Sequence, residues 1–248
     1  MPLEVPGPRI IRVHFPLAVG DVFSIGGPAF EALLMREPRI GEAVTVVDSE
    51  GREFRTRVLE LSPREARAMA FEEQPPTEPP FELWLLQALP DKERMEFVIQ
   101  KATEIGVHVI LPFKSARSIS LQERESKQPK AHRWPKVALR ATKQCRRAYL
   151  PYIAPFCGFE DALLAARDAP LRIMLYERSR TSLSKLLESL DSPQRVALMV
   201  GPEGGWDEEE VREAQREGFL LAGLGGRILR TETASLVALS LLVHRWER

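Results

Sequence analysis

Hydrophobic and polar positions along the chain follow two patterns, and a proline-rich stretch separates them. The N-terminal part holds short apolar segments typical of β-strands, at 9–15, 43–48, 53–61 and 66–71. The turn Asp48–Gly51 predicts a hairpin between two of them. Four of the nine residues from Glu72 to Pro80 are proline, which continues neither a helix nor a central strand. We predict a small β-barrel or sandwich over 1–72 and a linker over 73–80.

After the linker, strand-like and helix-like segments alternate. Continuous apolar runs predict strands at 81–89, 107–113, 171–177, 195–200 and 219–224. Segments with helical periodicity lie between them, at 92–106, 133–147, 182–190, 207–217 and 233–246. Such alternation is typical of an α/β fold with a mostly parallel sheet covered on both faces. We therefore predict a second domain over 81–248, with ligands bound beyond the carboxyl ends of its strands.

Composition narrows the class of protein. The chain has 248 residues, of which 44% are hydrophobic and 28% charged, enough for one large core or two smaller ones. No segment reaches the roughly 20 apolar residues that a membrane helix needs, and no signal-peptide pattern is present. Two cysteines without CxxC spacing and four scattered histidines indicate neither a disulfide framework nor a zinc site. We expect a cytoplasmic protein without a membrane or a metal partner.

The 35 basic and 35 acidic residues balance, but the basic ones cluster locally. Between Lys114 and Arg147 there are eleven Lys and Arg residues against Glu123 and Glu125. This excess predicts a surface that binds nucleic-acid phosphates, although a solvated helix face is the alternative. The candidate RNA contacts are Lys136, Arg140, Lys143, Gln144, Arg146 and Arg147.

Three loops follow predicted strands in the C-terminal half, at 176–180, 201–206 and 224–235. The second, GPEGGW, matches neither the dinucleotide pattern GxGxxG nor the phosphate loop GxxxxGK[ST]. Asp207 can cap the helix after it, with Glu210 completing a capping box. Because four consecutive carboxylates would repel a polyphosphate, a neutral or cationic ligand fits better, such as the net-cationic S-adenosylmethionine. A tight strand-to-helix turn without a ligand is the alternative.

The motifs in combination carry a resemblance. GPEGG at 201–205, LGGRILRTETA at 224–234 and IQKATEIGV at 99–107 closely resemble the ribosomal RNA small subunit methyltransferase E family of the SPOUT superfamily. The resemblance covers nearly the whole chain. It implies a C-terminal parallel sheet with a trefoil knot, an N-terminal PUA-like barrel, and a homodimer. It also implies methylation of N3 of a uridine in 16S ribosomal RNA, free or within the small ribosomal subunit, with S-adenosylmethionine as methyl donor.

The same resemblance implies a set of site residues. The cofactor pocket would comprise Tyr176, Glu177, Val200, Gly201, Pro202, Glu203, Gly204, Gly205, Leu224, Gly225, Ile228, Leu229, Arg230 and Thr231. The apolar last helix would form much of the dimer interface, and burial within one chain is the alternative. A knot could not be derived from the pattern, because unknotted connections are the default.

The chemistry of N3 methylation suggests catalytic roles. The imide must lose a proton, and its negative charge spreads onto O2 and O4. Arg230 is the candidate that stabilises this charge, although an ion pair with Glu232 is equally compatible with the sequence. Glu232 or Glu203 could assist proton removal. In a rival mechanism the Cys145 thiolate adds to C6 of a pyrimidine, but a small packing residue explains this position better.

Some segments depart from the family pattern. Asp91, Lys92, Glu93 and Arg94 stand where relatives usually read lysine-glycine-aspartate-lysine. The family's EQSGR begins here with Lys143, and Phe30–Glu37 reads FEALLMRE in place of HHLxxVLR. The departures affect the expected grip on RNA rather than the cofactor loops. Two alternative functions stay open: ribose 2′-O-methylation, and a non-catalytic RNA-binding assembly factor.

Overall fold

A computed structural model describes residues 3–90, 94–118 and 133–247. They form two compact units. One comprises Val5–Glu78 together with Leu139–Leu150, and the other comprises the described residues of Met1–Glu4, Pro79–Ala138 and Pro151–Arg248. The change between units near Glu78 falls within the predicted linker. The segment Leu139–Leu150, however, packs with the N-terminal residues, and nothing in its sequence pattern predicted this.

The N-terminal unit contains a four-stranded antiparallel sheet in the order β1-β4-β3-β2. Its strands are β1 (Val22–Gly26), β2 (Ala43–Val47), β3 (Glu53–Leu61) and β4 (Glu65–Gln74). The predicted hairpin is confirmed, because Val47 pairs with Glu53 and the intervening turn holds Gly51 at a φ of 83°. Apolar side chains including Ile25, Val46, Phe54 and Val58 fill the core of the unit.

Two features of this unit differ from the prediction. The segment 9–15 forms only isolated bridges at Ile10 and Arg12, although Ile11 and Val13 are buried as in a strand. The helix α1 (Gly27–Leu34) was not predicted; it has a proline in its first turn and buries Phe30 and Leu33. Gly26, Gly27 and Pro28 are residue types that favour turns, but proline also favours the first turn of a helix.

The second unit contains a seven-stranded sheet with the order β11-β9-β10-β5-β6-β7 and with β8 beside β6. Every strand pairing that the described residues form in this sheet is parallel. The strands are β5 (Glu82–Ala88), β6 (Val109–Lys114), β7 (Tyr152–Ile153), β8 (Cys157–Gly158), β9 (Leu171–Leu175), β10 (Arg195–Val200) and β11 (Leu220–Ala222). The predicted α/β class with a mostly parallel sheet is confirmed; the knot and the PUA-like barrel stay predictions.

Helices lie between these strands and after the last of them along the chain, and each falls on a predicted helical segment except the one at Phe159–Ala165, which was not predicted. They are α2 (Arg94–Ile105), α3 (Trp134–Cys145), α4 (Phe159–Ala165), α5 (Leu183–Glu188), α6 (Glu208–Arg216) and α7 (Thr231–Trp246). Only the residues of α3 up to Ala138 belong to the second unit. The helix α7 packs against α2 and buries Leu239, Leu242, Val243 and Trp246. The apolar face of this helix is thus largely used within its own chain. Among the described residues, no helix is both long and apolar enough to cross a membrane.

Candidate active site

A cavity of about 400 Å³ lies at the carboxyl ends of the adjacent strands β9, β10 and β11. Its volume is in the range of small-molecule binding sites. The loops after these three strands supply its walls, as expected for a parallel sheet. Apolar side chains that include Leu175, Val200, Leu224 and Ala234 face it beside polar loop residues.

The structure brings together the whole set of residues predicted for the cofactor pocket. The cavity is lined by Tyr176, Glu177, Val200, Gly201, Pro202, Glu203, Gly204, Gly205, Leu224, Gly225, Ile228, Leu229, Arg230 and Thr231. It is also lined by Leu175, Trp206, Ala222, Gly223, Arg227 and Ala234, which the sequence had not singled out. The cavity therefore brings together three separate stretches of the chain, within 175–177, 200–206 and 222–234.

Close contacts explain why the loop 201–205 is rich in glycine. A Cβ atom on Gly201 would lie 2.8 Å from Cε2 of Trp206, and one on Gly204 would lie 3.0 Å from Cβ of Arg117. Gly205 has a φ of 70°, which favours glycine. The Trp206 indole stacks on Phe113 and donates to the Leu175 carbonyl at 2.7 Å. At Gly201 and Gly204 the backbone of the loop therefore approaches its neighbours more closely than a side chain would allow.

The predicted capping box at the start of α6 is confirmed. The Asp207 side chain accepts from the Glu209 N–H at 3.0 Å, and the Glu210 carboxylate accepts from the Asp207 N–H at 3.0 Å. The hydrogen bond from Glu209, with further help from Arg117, holds the pKa of Asp207 below its ordinary value. Glu210 also accepts from Ala116 N–H at 2.9 Å and Ser115 Oγ at 3.1 Å, and so ties α6 to the loop after β6.

The structure corrects one step of the charge argument. The described residues that line the cavity do not include any of the four carboxylates 207–210. Glu209 instead binds Arg212 and Arg216 on its own helix. The charged side chains that do line the cavity are Glu177, Glu203, Arg227 and Arg230. Two acids and two bases suit a molecule that carries both signs of charge, not only a net-cationic one.

Arg94 connects the two carboxylates that were proposed as proton acceptors. Its Nη1 lies 2.5 Å from Glu203 Oε1, and its Nε lies 3.7 Å from Glu232 Oε1. Glu232 therefore pairs with Arg94 rather than with Arg230, and Arg230 lines the cavity. Glu232 Oε2 is buried without a hydrogen-bond partner among the described residues. The sequence treated Arg94 only as part of a departure from the family pattern; a cation in the first turn of a helix, where the helix dipole is unfavourable, was the missed signal.

Known proteins are similar to this chain in sequence and in architecture. The family model of the RNA methyltransferase domain matches residues 77–243. A ribosomal RNA small subunit methyltransferase E from Bacillus subtilis is 34% identical over 173 residues, 68% of each chain. One from Mycobacterium bovis is 30% identical over 232 residues, 90% of this chain and 87% of the relative.

The chain belongs to the ribosomal RNA small subunit methyltransferase E family.

A solved structure agrees with this membership. The family member from Neisseria gonorrhoeae, whose crystal structure was determined bound to S-adenosyl methionine, matches with a TM-score of 0.66 at 30% identity. The match covers 95% of this chain and 97% of that one. The resemblance that the motifs carried is thereby confirmed at the level of the family.

The candidate RNA-binding residues of this family member separate into two groups. Lys136, Arg140 and Gln144 recur every four residues along α3 and are exposed, as is Arg146. Lys143 is half-buried and pairs with Glu42 at 2.7 Å. The outer face of the helix is therefore the part that is accessible to a large ligand.

Arg147 requires a correction. Only 4% of this residue is exposed, and its guanidinium binds the Glu78 carboxylate at 2.5 Å. Because a buried and paired guanidinium is not accessible to phosphate, Arg147 is not an RNA contact in this structure. It fastens Leu139–Leu150 to the N-terminal unit, together with hydrogen bonds from Ala148 N–H to Thr77 and from Tyr149 N–H to Glu78.

Cys145 lies away from the cavity, and two other segments of interest lie outside the described residues. The Cys145 thiol contacts the Thr142 carbonyl at 3.8 Å near the end of α3, and it is not among the described residues that line the cavity. This agrees with the packing interpretation rather than with a thiolate mechanism. Asp91, Lys92 and Glu93, and the basic residues Arg124, Lys127 and Lys130, lie outside the described residues.

Proposed function

We propose that this chain transfers a methyl group from S-adenosylmethionine to N3 of a uridine in 16S ribosomal RNA. The observation that carries the proposal is that residues of the two family motifs, 201–205 and 224–231, line the same cavity. Ribosomal RNA as substrate, free or in the small subunit, also implies a cytoplasmic location.

The residues around the cavity fit the proposed donor. The sulfonium and ammonium groups need carboxylates, which Glu177 and Glu203 supply, and the carboxylate of the donor needs a cation such as Arg227. Backbone groups of Gly201–Gly205 and Leu224–Gly225 offer the N–H and C=O groups that adenine and ribose require. When bound, S-adenosylmethionine would supply an electrophilic methyl group.

Arg230 and Glu203 are the proposed catalytic residues. Arg230 lines the cavity at the N-cap of α7, where the helix dipole adds to its positive charge, and it would stabilise the charge on uracil O2 or O4. Glu203 lines the cavity and would accept the N3 proton, whereas Glu232 is not among its described lining residues. Glu232 is therefore assigned to holding Arg94 in place.

Kinetics of two variants test these roles with the full chain and purified ribosomal RNA. We expect Arg230→Gln to lower kcat by about 100-fold, the usual loss when one donor to a developing anion is removed. Glu203→Gln should lower kcat by a similar factor, about 100-fold, typical of a lost general base. Unchanged kcat in either variant would refute the assigned role of that residue.

Mass spectrometry of nucleosides from 16S ribosomal RNA tests the reaction itself. A strain that lacks the gene should lose 3-methyluridine and regain it when the gene is returned. Loss of a ribose-methylated nucleoside instead would favour the 2′-O alternative. If all methylated nucleosides persist and calorimetry detects no S-adenosylmethionine binding, the chain is an RNA-binding factor without catalytic activity.

We also propose that the chain acts as a homodimer through α7. Leu236 and Leu241 are only partly buried and Val237 is 39% exposed, although the rest of the apolar face packs within the chain. Val237→Glu should convert a dimer to a monomer in sedimentation velocity, and Gln215→Glu, at an exposed polar position of α6, is the control with the same change of charge. A monomeric wild-type chain would exclude the dimer.

A further inference from the structure

A buried amide connects the first predicted strand of the second unit to the glycine-rich loop. Gln87 lies near the end of β5, and none of its surface is exposed. It is not among the described residues that line the cavity. Its side chain nevertheless contacts Thr231, a cavity-lining residue 144 positions later in the chain, at 2.9 Å from Nε2 to Oγ1. Any effect of Gln87 on a ligand would pass through Thr231.

The hydrogen bonds of this amide determine its orientation. Gln87 Nε2 donates to the Ala88 carbonyl at 3.0 Å as well as to Thr231, so both of its hydrogens are used. Gln87 Oε1 accepts from the Ser235 hydroxyl at 2.6 Å. The opposite orientation would leave the Ala88 carbonyl facing an acceptor. Buried polar groups that are fully satisfied in this way hold a single arrangement.

The orientation of the amide in turn directs the Thr231 hydroxyl. This hydroxyl has one hydrogen, and its oxygen already accepts from Gln87. The hydrogen therefore goes to the Gly201 carbonyl, which lies 2.6 Å away. Gly201 is the first residue of the loop 201–205, and Pro202 after it has no N–H with which to anchor the loop. Thr231 is 5% exposed and Ser235 is fully buried, so water cannot readily replace these partners.

We propose that Gln87 is a positioning residue for the methyl donor: by donating to Thr231 it commits the Thr231 hydroxyl to Gly201 and sets the loop that would hold S-adenosylmethionine. The inference rests on the proposed function, because it concerns the same cavity. It assigns a role to the strand end of β5, which contributes no residue to the described lining of the cavity. Gln87 and Ser235 together would also fix the start of α7, which carries Arg230.

The test is calorimetry of S-adenosylmethionine binding to the full chain carrying Gln87→Glu. A carboxylate of the same shape cannot donate, so the Thr231 hydrogen turns to it and the Gly201 carbonyl loses its donor. We expect the Kd to rise about tenfold at pH 8, the usual effect of leaving a buried acceptor unsatisfied. Lowering the pH protonates the buried carboxyl and restores one donor, so the ratio of variant to wild-type Kd should fall toward one.

A second pair of variants keeps the inference testable if Gln87→Glu does not fold. Thr231→Ser retains the hydroxyl and should bind within about threefold of wild type, whereas Thr231→Val should lose about tenfold. Thr103→Val is the matched control: Thr103 is equally buried in the same unit and donates to the Ile99 carbonyl at 2.7 Å. Removal of the Thr103 hydroxyl should lower the midpoint of unfolding without changing the Kd for S-adenosylmethionine.

The possible failures are distinguishable. If wild-type chain does not bind S-adenosylmethionine, the proposed function fails. If wild type binds and Thr231→Val or folded Gln87→Glu binds equally well at pH 8, the positioning role of Gln87 is wrong while the proposed function stands. A Gln87→Glu defect that does not change with pH would indicate a packing effect and would also overturn the role.

Discussion

Arg94 is the side chain through which α2 reaches the cavity. It contacts Glu203 on the loop after β10 and Glu232 in the first turn of α7, two residues that stand 29 positions apart in the sequence. The side chain of Glu203 is 33% exposed and that of Glu232 is 14% exposed, so both ion pairs are partly shielded from water. Such pairs contribute more than fully exposed ones because solvent screens them less.

Two replacements of Arg94 should show whether its positive charge or only the bulk of its side chain supports activity. Arg94→Met leaves Glu203 and Glu232 without this cation, and we expect kcat/KM for methyl transfer to fall about tenfold, the scale of a lost hydrogen bond to a charged group. Arg94→Lys keeps one charge and should recover most of the activity. The measurement is a steady-state methylation assay. Equal activity of the Met and Lys variants would show that the charge of Arg94 has no role.

Asp48 shows how one residue can determine a turn. It has no exposed surface and accepts from the N–H groups of Leu17, Glu50 and Arg52 as well as from the Arg52 guanidinium. Burial by itself would raise the pKa of Asp48, but these hydrogen bonds outweigh burial and hold it below the ordinary value. The carboxylate form is therefore the one that stabilises the hairpin.

The difference in unfolding free energy between the wild-type chain and the Asp48→Asn variant should depend on pH. A carboxyl with a depressed pKa in the folded state stabilises fully above the unfolded pKa, about 4, and loses this contribution as pH falls through the folded pKa. We expect the variant to lose about 2 kcal/mol of unfolding free energy at pH 7. Urea unfolding should show this difference shrinking below pH 4. The exposed Asp168 provides a control, since Asp168→Asn should change little at either pH.

At the scale of elements, the loop after β10 depends on close backbone approach. Gly201 and Gly226 lie in the two motif loops but differ in their surroundings. A Cβ on Gly201 would contact the Trp206 ring at 2.8 Å, whereas one on Gly226 would meet nothing within 4 Å, and Gly226 has no positive φ. The same substitution at these two positions therefore isolates the effect of crowding.

Alanine variants of the two glycines provide the prediction. In Gly201→Ala the Trp206 ring must move off Phe113 or lose its bond to the Leu175 carbonyl. We expect the Kd for S-adenosylmethionine to rise about tenfold, the scale of modest overpacking, with a shift in tryptophan emission. Gly226→Ala should bind within about twofold of wild type. Similar affinities for both variants would refute the crowding argument.

Across the whole molecule, the basic residues fall into two groups: some are buried and stabilise the fold, and others are exposed to solvent. Arg36 and Arg147 are buried within the N-terminal unit, where Arg36 donates to the carbonyls of Ala32, Arg9 and Ala148. Burial lowers the pKa of Arg36 to about 10. Lys136 and Arg140 instead stand exposed on α3. A count of positive charge along the sequence mixes these structural cations with those accessible to RNA.

Charge reversal should distinguish the two kinds of cation. The double variant Lys136→Glu and Arg140→Glu should weaken RNA binding and reduce the slope of log K against log salt by about 2, one for each phosphate contact. Lys185→Glu, an exposed lysine on α5, should leave both unchanged. Arg147→Met should instead lower the unfolding free energy by about 3 kcal/mol, because it leaves Glu78 without its cation. An unchanged salt slope in the double variant would exclude this face from RNA binding.

The sequence by itself determined the class of fold, most of the strand and helix alternation after residue 81, the hairpin at 48–51 and the capping box at 207–210. Each of these depends on residues close together in the chain, where periodicity and turn chemistry act locally. The family motifs also located the residues that line the cavity. These motifs are contiguous, so their spacing survives in the linear sequence.

Only the tertiary structure decided which side chains act together. The paired side chains stand 69 to 144 residues apart in the sequence. The pairs are Gln87 with Thr231, Arg94 with Glu203 and with Glu232, and Arg147 with Glu78. The tertiary structure also showed that the carboxylates 207–210 bind their own helix and the loop after β6 rather than the cavity, and that Lys136 and Arg140 are exposed while Arg147 is buried. Burial and partner choice depend on which distant segments pack together, and no local pattern encodes that packing.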